Sequence, residues 1–138
     1  MEDKYYTPDI EEFHQWFEYE YKGPEDSEWH KELFKIDGSH PNLKWFRNND
    51  MVRVKYLDQE DIESLGWNLV RKSIDLWFEK EGRFDMGSWT AYKAYLRYGL
   101  HDNRMSMGVY DMSDEISTFK GIVKNKSELQ RLMKQIGI

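Results

Sequence analysis

Aromatic side chains dominate the apolar content of this sequence and decide what kind of core it can build. Phe, Trp and Tyr make up 16% of the 138 residues, whereas apolar residues of every kind make up only 39%. Each aromatic side chain can bury about 150–250 Å², so the sequence predicts a core of few, large side chains. No internal repeat, low-complexity tract or linker breaks the chain, and we therefore expect a single domain covering residues 1–138.

The sequence contains no cysteine, and this removes several classes of function at once. Disulfide frameworks, thiolate catalysis, iron–sulfur clusters and cysteine-ligated zinc all require that residue. The first residues lack the basic and apolar regions of a signal peptide, and no apolar stretch approaches the ~18 residues of a membrane span. We therefore expect a cytoplasmic protein that does not associate with a membrane.

The net charge of −6 is concentrated near the N-terminus. Residues 1–32 hold eleven Asp and Glu against three Lys and Arg, a net charge of −8, which leaves +2 for the remainder. A surface of this kind repels nucleic-acid phosphate and attracts basic partners, including protein surfaces that normally bind nucleic acid. The alternative interpretation is a solvated acidic face that only aids solubility.

Alternation of apolar and polar residues predicts a chain made mainly of antiparallel strands. The clearest strand covers Met51 to Leu57. Aromatic and β-branched residues between turn signals predict further strands at residues 13–21, 29–36, 73–79, 90–98, 105–112 and 118–123. Turn chemistry predicts reversals at residues 23–27, 81–82 and 101–103 and a loop at residues 37–42.

Capping residues predict two helices. Asp58 can cap a short middle helix that ends near Gly66. Asn125 followed by Glu128 resembles a capping box, and one face of the helix that follows carries Leu129, Leu132, Met133 and Ile136. The predicted fold class is α+β: an antiparallel sheet with a short middle helix and a C-terminal helix packed on one face.

The segment Phe13 to Tyr21 combines aromatic and acidic residues in a way that is typical of protein interfaces. Aromatic residues of this density also fill small cores, and we expect about half of them to do so. If the strand is regular, Trp16 lies on the face opposite Phe13 and Phe17 and is left for a partner. We predict a partner-binding site formed by Glu11, Glu12, Trp16, Glu18 and Glu20.

Pro8-Asp9 and Glu20-Tyr21-Lys22 match the loose PD…(D/E)xK pattern of metal-dependent nucleases. In such an enzyme, Asp9 and Glu20 would hold Mg²⁺, and Lys22 would position or activate the attacking water. That fold requires the two carboxylates on neighbouring strands, yet residues 10–19 contain no Gly, Pro or Asn to turn the chain. For this reason we keep a Mg²⁺-dependent nuclease only as an alternative to a binding protein.

The remaining candidate motifs have structural explanations. The acids Asp58, Glu60, Asp61 and Glu63 lack the Gly and the spacing of a calcium loop, and helix capping explains them. The four histidines show no zinc-site spacing. Residues 92–98 interleave bases and aromatics as single-strand binders do, but alternation predicts an ordinary half-buried strand. We predict no catalytic residue, no metal, no cofactor, no sequence-specific nucleic-acid binding, and hence no enzyme.

Three stretches together resemble a known group of proteins: Tyr6 to Phe13 with Phe17 to Glu20, Val52 to Gly66, and Phe119 to Gly137. The group consists of short, mostly uncharacterised proteins of Bacteroidetes phages and prophages. Residues 67–117 have no counterpart in this resemblance. No catalytic residues are defined for the group, so none can be carried over.

The resemblance implies a phage context, in which small non-enzymatic proteins often act in takeover or anti-defence. An inhibitor of a host nucleic-acid-guided nuclease, such as an anti-CRISPR protein, fits the acidic N-terminal segment, because its target presents a basic channel. We therefore expect a protein partner with a basic nucleic-acid-binding surface, such as a CRISPR effector nuclease, in the host bacterial cytoplasm. A phage structural or assembly protein is the other alternative.

Overall fold

The structure is a computed structural model that describes residues 4–36, 38 and 42–138. The chain divides into two compact units, Met1–Tyr56 and Leu57–Ile138, and the described residues of each unit form an antiparallel sheet over its own apolar core. This arrangement confirms the predicted α+β class, with two sheets where the sequence predicted one. The single-domain expectation stays a prediction, because two compact units can still unfold in one cooperative step.

The first unit is built from short strands around an aromatic core. Its four antiparallel strands lie in the order β1-β4-β2-β3. They are β1 (Tyr5–Tyr6), β2 (Glu18–Tyr21), β3 (His30–Leu33) and β4 (Val52–Lys55), accompanied by a 3₁₀ turn at Ile10–Glu12 and the helix α1 (Leu43–Asn48). The buried side chains of this core are Phe17, Tyr19, Leu43, Val52 and Val54.

The strand β4 confirms the clearest sequence prediction. Val52 and Val54 are buried, whereas Arg53 and Lys55 alternate with them and point to the other face. That other face of the sheet, which we call the outer face of the first unit, also carries Glu20, because Glu20 lies directly opposite Arg53 in the ladder. The alternation in the sequence therefore predicts which polar side chains point away from this core.

The second unit is a five-stranded meander in which consecutive strands are neighbours. Its strands are β5 (Asn68–Lys72), β6 (Asp75–Asp85), β7 (Thr90–Gly99), β8 (Arg104–Asp111) and β9 (Asp114–Ile122). Two helices, α2 (Gln59–Ser64) and α3 (Lys126–Ile136), complete the unit. Its core includes Trp67, Phe78, Leu96, Tyr98 and Met107.

Both predicted helices of the second unit form with their predicted caps. The Asp58 carboxylate accepts a hydrogen bond from the Asp61 N–H (2.9 Å), and the Asn125 side chain accepts one from the Glu128 N–H (2.9 Å). Leu129 of α3 is fully buried in the core, and this helix packs on one face of the sheet as predicted. Among the described residues, no helix combines the length and the apolarity needed to cross a membrane.

Two local predictions are wrong. The chain does not turn at Glu81–Gly82, which lie inside β6; it turns after β6, where the Met86 N–H donates to the Trp89 carbonyl (2.9 Å). Gly82 is required for another reason, because a Cβ there would lie 2.9 Å from the Phe84 ring. The predicted strand at residues 13–21 shrinks to Glu18–Tyr21. Of the predicted loop at 37–42, residues 37 and 39–41 lie outside the described residues.

Candidate functional site

Trp16 has the most unusual backbone of the predicted site residues. Its φ is 69°, a left-handed value that is an outlier for a bulky side chain. Trp16 is the third residue of a four-residue turn, His14–Phe17, in which the Phe17 N–H donates to the His14 carbonyl (2.9 Å). Turns that need a positive φ at this position usually place Gly or Asn there. We call these four residues the Trp16 turn.

Hydrogen bonds to the segment after β3 hold the Trp16 turn in place. The Trp16 N–H donates to the Phe34 carbonyl (2.7 Å), and the Phe34 N–H donates to the Phe17 carbonyl (2.9 Å). The Ile36 N–H donates to the Gln15 side-chain oxygen (2.8 Å). Three bonds from outside the turn therefore impose its backbone shape, which is how strained conformations persist in folded proteins.

The indole of Trp16 is only partly buried, although the backbone of this residue is strained. Its side chain is 56% exposed, and its ring contacts the Lys35 ammonium at 5.6 Å from the ring centroid. Leu33 and Ile36, on the adjoining segment, are also exposed. An exposed aromatic side chain beside other exposed apolar residues is typical of an interface anchor.

Two of the four predicted acidic site residues are engaged inside the first unit. Glu12 accepts one hydrogen bond from the Tyr6 hydroxyl (2.7 Å) and another from the Asp9 N–H (2.7 Å), so it caps the 3₁₀ turn. Glu20 forms an ion pair with Arg53 (3.2 Å) and lies opposite Lys31 on the other side. The carboxylates of Glu12 and Glu20 therefore stabilise the first unit.

The other two predicted acids, Glu11 and Glu18, are exposed. Glu18 lies opposite Leu33 at the end of the β2–β3 ladder, next to the point where Trp16 bonds to Phe34. The structure thus brings Trp16, Glu18 and Leu33 to one end of the sheet, while Glu11 lies in the 3₁₀ turn. The site consists of an apolar anchor with acidic residues close to it in the chain.

The outer face of the first unit also carries a feature that no sequence pattern predicted, which we call the Arg53 cluster. The Arg53 guanidinium lies 3.7 Å from the ring centroid of Tyr5 and 4.2 Å from that of Trp29, and it also pairs with Glu20. These residues come from four separate segments, and no spacing along the chain relates them. Only the strand order of the sheet brings them together.

The geometry gives no support to the nuclease alternative. Asp9 caps the 3₁₀ turn and does not lie in a strand, and its carboxylate pairs with Arg47 (2.9 Å). Glu20 pairs with Arg53, so each carboxylate is already engaged by a different arginine. Within the part of the chain that the structure describes, no group of three His, Cys, Asp or Glu side chains could hold a metal ion.

Comparisons of the chain with protein-family models, with curated proteins and with solved structures find no match. The phage context and the inhibitor role therefore stay predictions.

Proposed function

We propose that this chain is a non-enzymatic binding protein that docks on a basic, nucleic-acid-binding surface of a protein partner, with Trp16 as its anchor. The observation that carries this proposal is the exposed indole at a φ of 69°. A bulky residue in this conformation costs about 1–2 kcal/mol, and the half-exposed indole offsets little of that through burial. Contact of the indole with a partner would bury it.

The charge of the first unit supports a basic partner. Residues 1–56 hold thirteen acids and eight bases, a net charge of −5, whereas residues 57–138 hold thirteen acids and twelve bases, a net charge of −1. The Trp16 ring already attracts one ammonium group, that of Lys35. A nucleic-acid-guided nuclease is a partner of this chemistry, since its channel is lined with Lys and Arg. On this proposal the chain inhibits it stoichiometrically by occupying that channel.

The sharpest test replaces Trp16 with the residue that its backbone favours. Trp16→Gly removes the indole and relieves the left-handed strain, so we expect unfolding free energy to change by less than about 1 kcal/mol. Dissociation from the partner identified by pull-down should become about 30-fold faster, as for loss of a hot spot of about 2 kcal/mol. Surface plasmon resonance would measure it.

Met112→Gly is the matched control. Met112 also has a left-handed φ, 58°, and is 96% exposed, but it lies in the β8–β9 turn of the second unit. The Met112→Gly variant should leave the rate of dissociation from the partner unchanged. Equal dissociation rates for the two glycine variants would show that Trp16 is not the anchor.

The acidic residues should act on association. Glu11→Gln with Glu18→Gln should slow association and reduce its dependence on salt, because exposed charges steer the encounter. Glu12→Gln with Glu20→Gln should also lower stability, because these changes weaken the bonds of Glu12 to Tyr6 and Asp9 and the ion pair of Glu20 with Arg53. If Glu11→Gln with Glu18→Gln leaves the association rate unchanged, the acidic segment is only a solvated face.

A separate experiment tests the nuclease alternative. Cleavage of DNA or RNA in Mg²⁺ that is lost in Asp9→Ala and Glu20→Ala would support the nuclease.

A further inference from the structure

The sheet of the second unit has one face that the helices do not cover. The core residues of β6 and β7, such as Phe78 and Leu96, point towards α3. Their neighbours in the strands, such as Trp77 and Arg97, alternate with them and lie on the opposite face. We call this opposite face the outer face of the second unit.

One row of residues crosses the whole outer face, one from each strand. Ladder partners directly opposite each other place these side chains side by side: Arg71 (β5), Trp77 (β6), Arg97 (β7), Ser106 (β8) and Lys120 (β9). Residues that face each other across a ladder have their side chains on the same face. We call this set the basic row.

The cations of the basic row differ in how far they are neutralised. Arg97 pairs with Glu115, although its Nε is buried and has no hydrogen-bond partner within the described part of the chain. Arg71 and Lys120 are exposed, and across residues 4–36, 38 and 42–138 neither forms an ion pair. The nearby Lys93 is matched by Glu79 (3.2 Å). The row therefore carries excess positive charge on a chain that is acidic overall.

An aromatic ring lies between two of these cations. The Arg97 guanidinium is 4.1 Å from the centroid of the Trp77 ring, and the Arg71 guanidinium is 5.4 Å from it. Neighbouring strands are about 4.8 Å apart, so the three cations lie roughly 10 Å from one another along a line of about 19 Å. A linear polyanion that also carries flat rings matches this arrangement.

We infer that the basic row binds single-stranded nucleic acid without sequence preference. Arg71 and Lys120 contact backbone phosphates, and the Arg97 guanidinium, stacked on the Trp77 ring, provides a stacking platform for bases. An exposed sheet face that combines cations with aromatic rings is a general solution for this ligand. An acidic peptide would use the same charges but would leave the Trp77 platform without a flat ring to stack. This inference concerns the second unit and does not depend on the protein partner proposed for the first.

The test uses the full chain and a fluorescently labelled oligothymidylate, with fluorescence anisotropy at low salt as the readout. Arg71→Glu with Lys120→Glu should weaken binding about tenfold or more and lower the salt slope by roughly 0.7 for each lost contact. The control, Arg131→Glu with Lys134→Glu, makes the same charge change on exposed positions of α3 and should change binding less than about twofold. Trp77→Leu should weaken binding while leaving the salt slope unchanged.

Three results would overturn the inference. The first is the absence of any anisotropy change with the unmodified chain. The second is an equal loss for the two charge-reversal pairs, which would mean that net charge alone acts. The third is displacement of the oligonucleotide by polyglutamate at matched charge concentration combined with an unaffected Trp77→Leu variant, which would identify the row as a site for acidic peptides. Circular dichroism of each variant confirms that the comparison is made on folded protein.

Discussion

Each unit carries an arginine that stacks on aromatic rings and pairs with a glutamate, but the two arginines have different surroundings. Arg53 is enclosed between the rings of Tyr5 and Trp29, and its partner Glu20 is only 15% exposed. Arg97 lies over Trp77 on the outer face of the second unit, and its partner Glu115 is 34% exposed. The two arginines are similarly exposed, at 26% and 30%, so the clusters differ mainly in how deeply the paired glutamate is buried.

The difference follows from the lengths of the strands. In the first unit the strands contain two to four residues, so few ladder hydrogen bonds hold them. The side chains of the Arg53 cluster connect β1, β2 and β4. In the second unit β6 and β7 contain eleven and ten residues, and their backbone pairing extends over most of both strands. The register of these longer strands therefore depends less on Arg97 than that of the first unit depends on Arg53.

The largest expected effects come from the two cores. Phe17→Ala in the first unit should lower the free energy of unfolding by about 3–5 kcal/mol, and Leu129→Ala in the second by about 2–5 kcal/mol, because both side chains are fully buried. Hydrogen exchange read by mass spectrometry would measure each unit separately. If residues 1–138 are a single domain, amides of both units lose protection in either variant. Loss confined to residues 4–56 in Phe17→Ala would show that the units are separate domains.

A smaller effect separates the two arginine clusters. Arg53→Met should lower the free energy of unfolding by about 1–2 kcal/mol, because it leaves the mostly buried Glu20 without its guanidinium. Arg97→Met should cost no more than about 1 kcal/mol, since the more exposed Glu115 is better screened by solvent. Urea denaturation would compare them. Equal losses of unfolding free energy in the two variants would contradict the proposed difference between the two arginine clusters.

The smallest effect concerns a hydroxyl in the first core. Tyr19 is buried, and its hydroxyl has no hydrogen-bond partner among the residues that the structure describes. Tyr19→Phe should therefore raise the free energy of unfolding by up to about 1 kcal/mol at neutral pH. Urea denaturation at pH 7 measures this change, and a destabilised variant would mean that the hydroxyl does have a partner.

The same tyrosine predicts an alkaline transition. Burial raises the pKa of Tyr19 to about 12, with the Glu32 and Tyr21 charges acting in the same direction. Since the pKa is higher in the folded state than the ordinary value of 10, the unfolded chain loses this proton first, and the free energy of unfolding falls between pH 10 and pH 12. Tyr19→Phe should flatten the loss of stability between pH 10 and 12 in a urea titration. An unchanged slope would assign that loss to other groups.

Local signals in the sequence predicted much of the fold. The alternation around Val52 and Val54, and the caps at Asp58 and Asn125, depend only on neighbouring residues, and the structure confirms all three elements. The turn predicted at Gly82 failed because glycine serves two purposes. Here it makes room for the Phe84 ring within a strand, and nothing in the local sequence distinguishes that use from a turn.

The candidate site was less predictable, because it depends on contacts between distant segments. Trp16 was expected to be exposed through strand alternation, and it is exposed, but through a left-handed turn held by Phe34 and Ile36. Of the predicted acids, Glu20 pairs with Arg53 on another strand, whereas the partners of Glu12, Tyr6 and Asp9, are close to it in the chain. The short helix α1 was missed, since its six residues carry only one cap signal, Asn42.

The left-handed backbone at Trp16 has a genetic consequence. A single base change converts the tryptophan codon into a glycine codon, and glycine is the residue that the conformation at position 16 favours. Selection for folding alone therefore accepts this mutation, whereas selection for partner binding rejects it. In a population that no longer meets its partner, position 16 would be among the first to drift, and the frequency of tryptophan there would record how recently the interaction mattered.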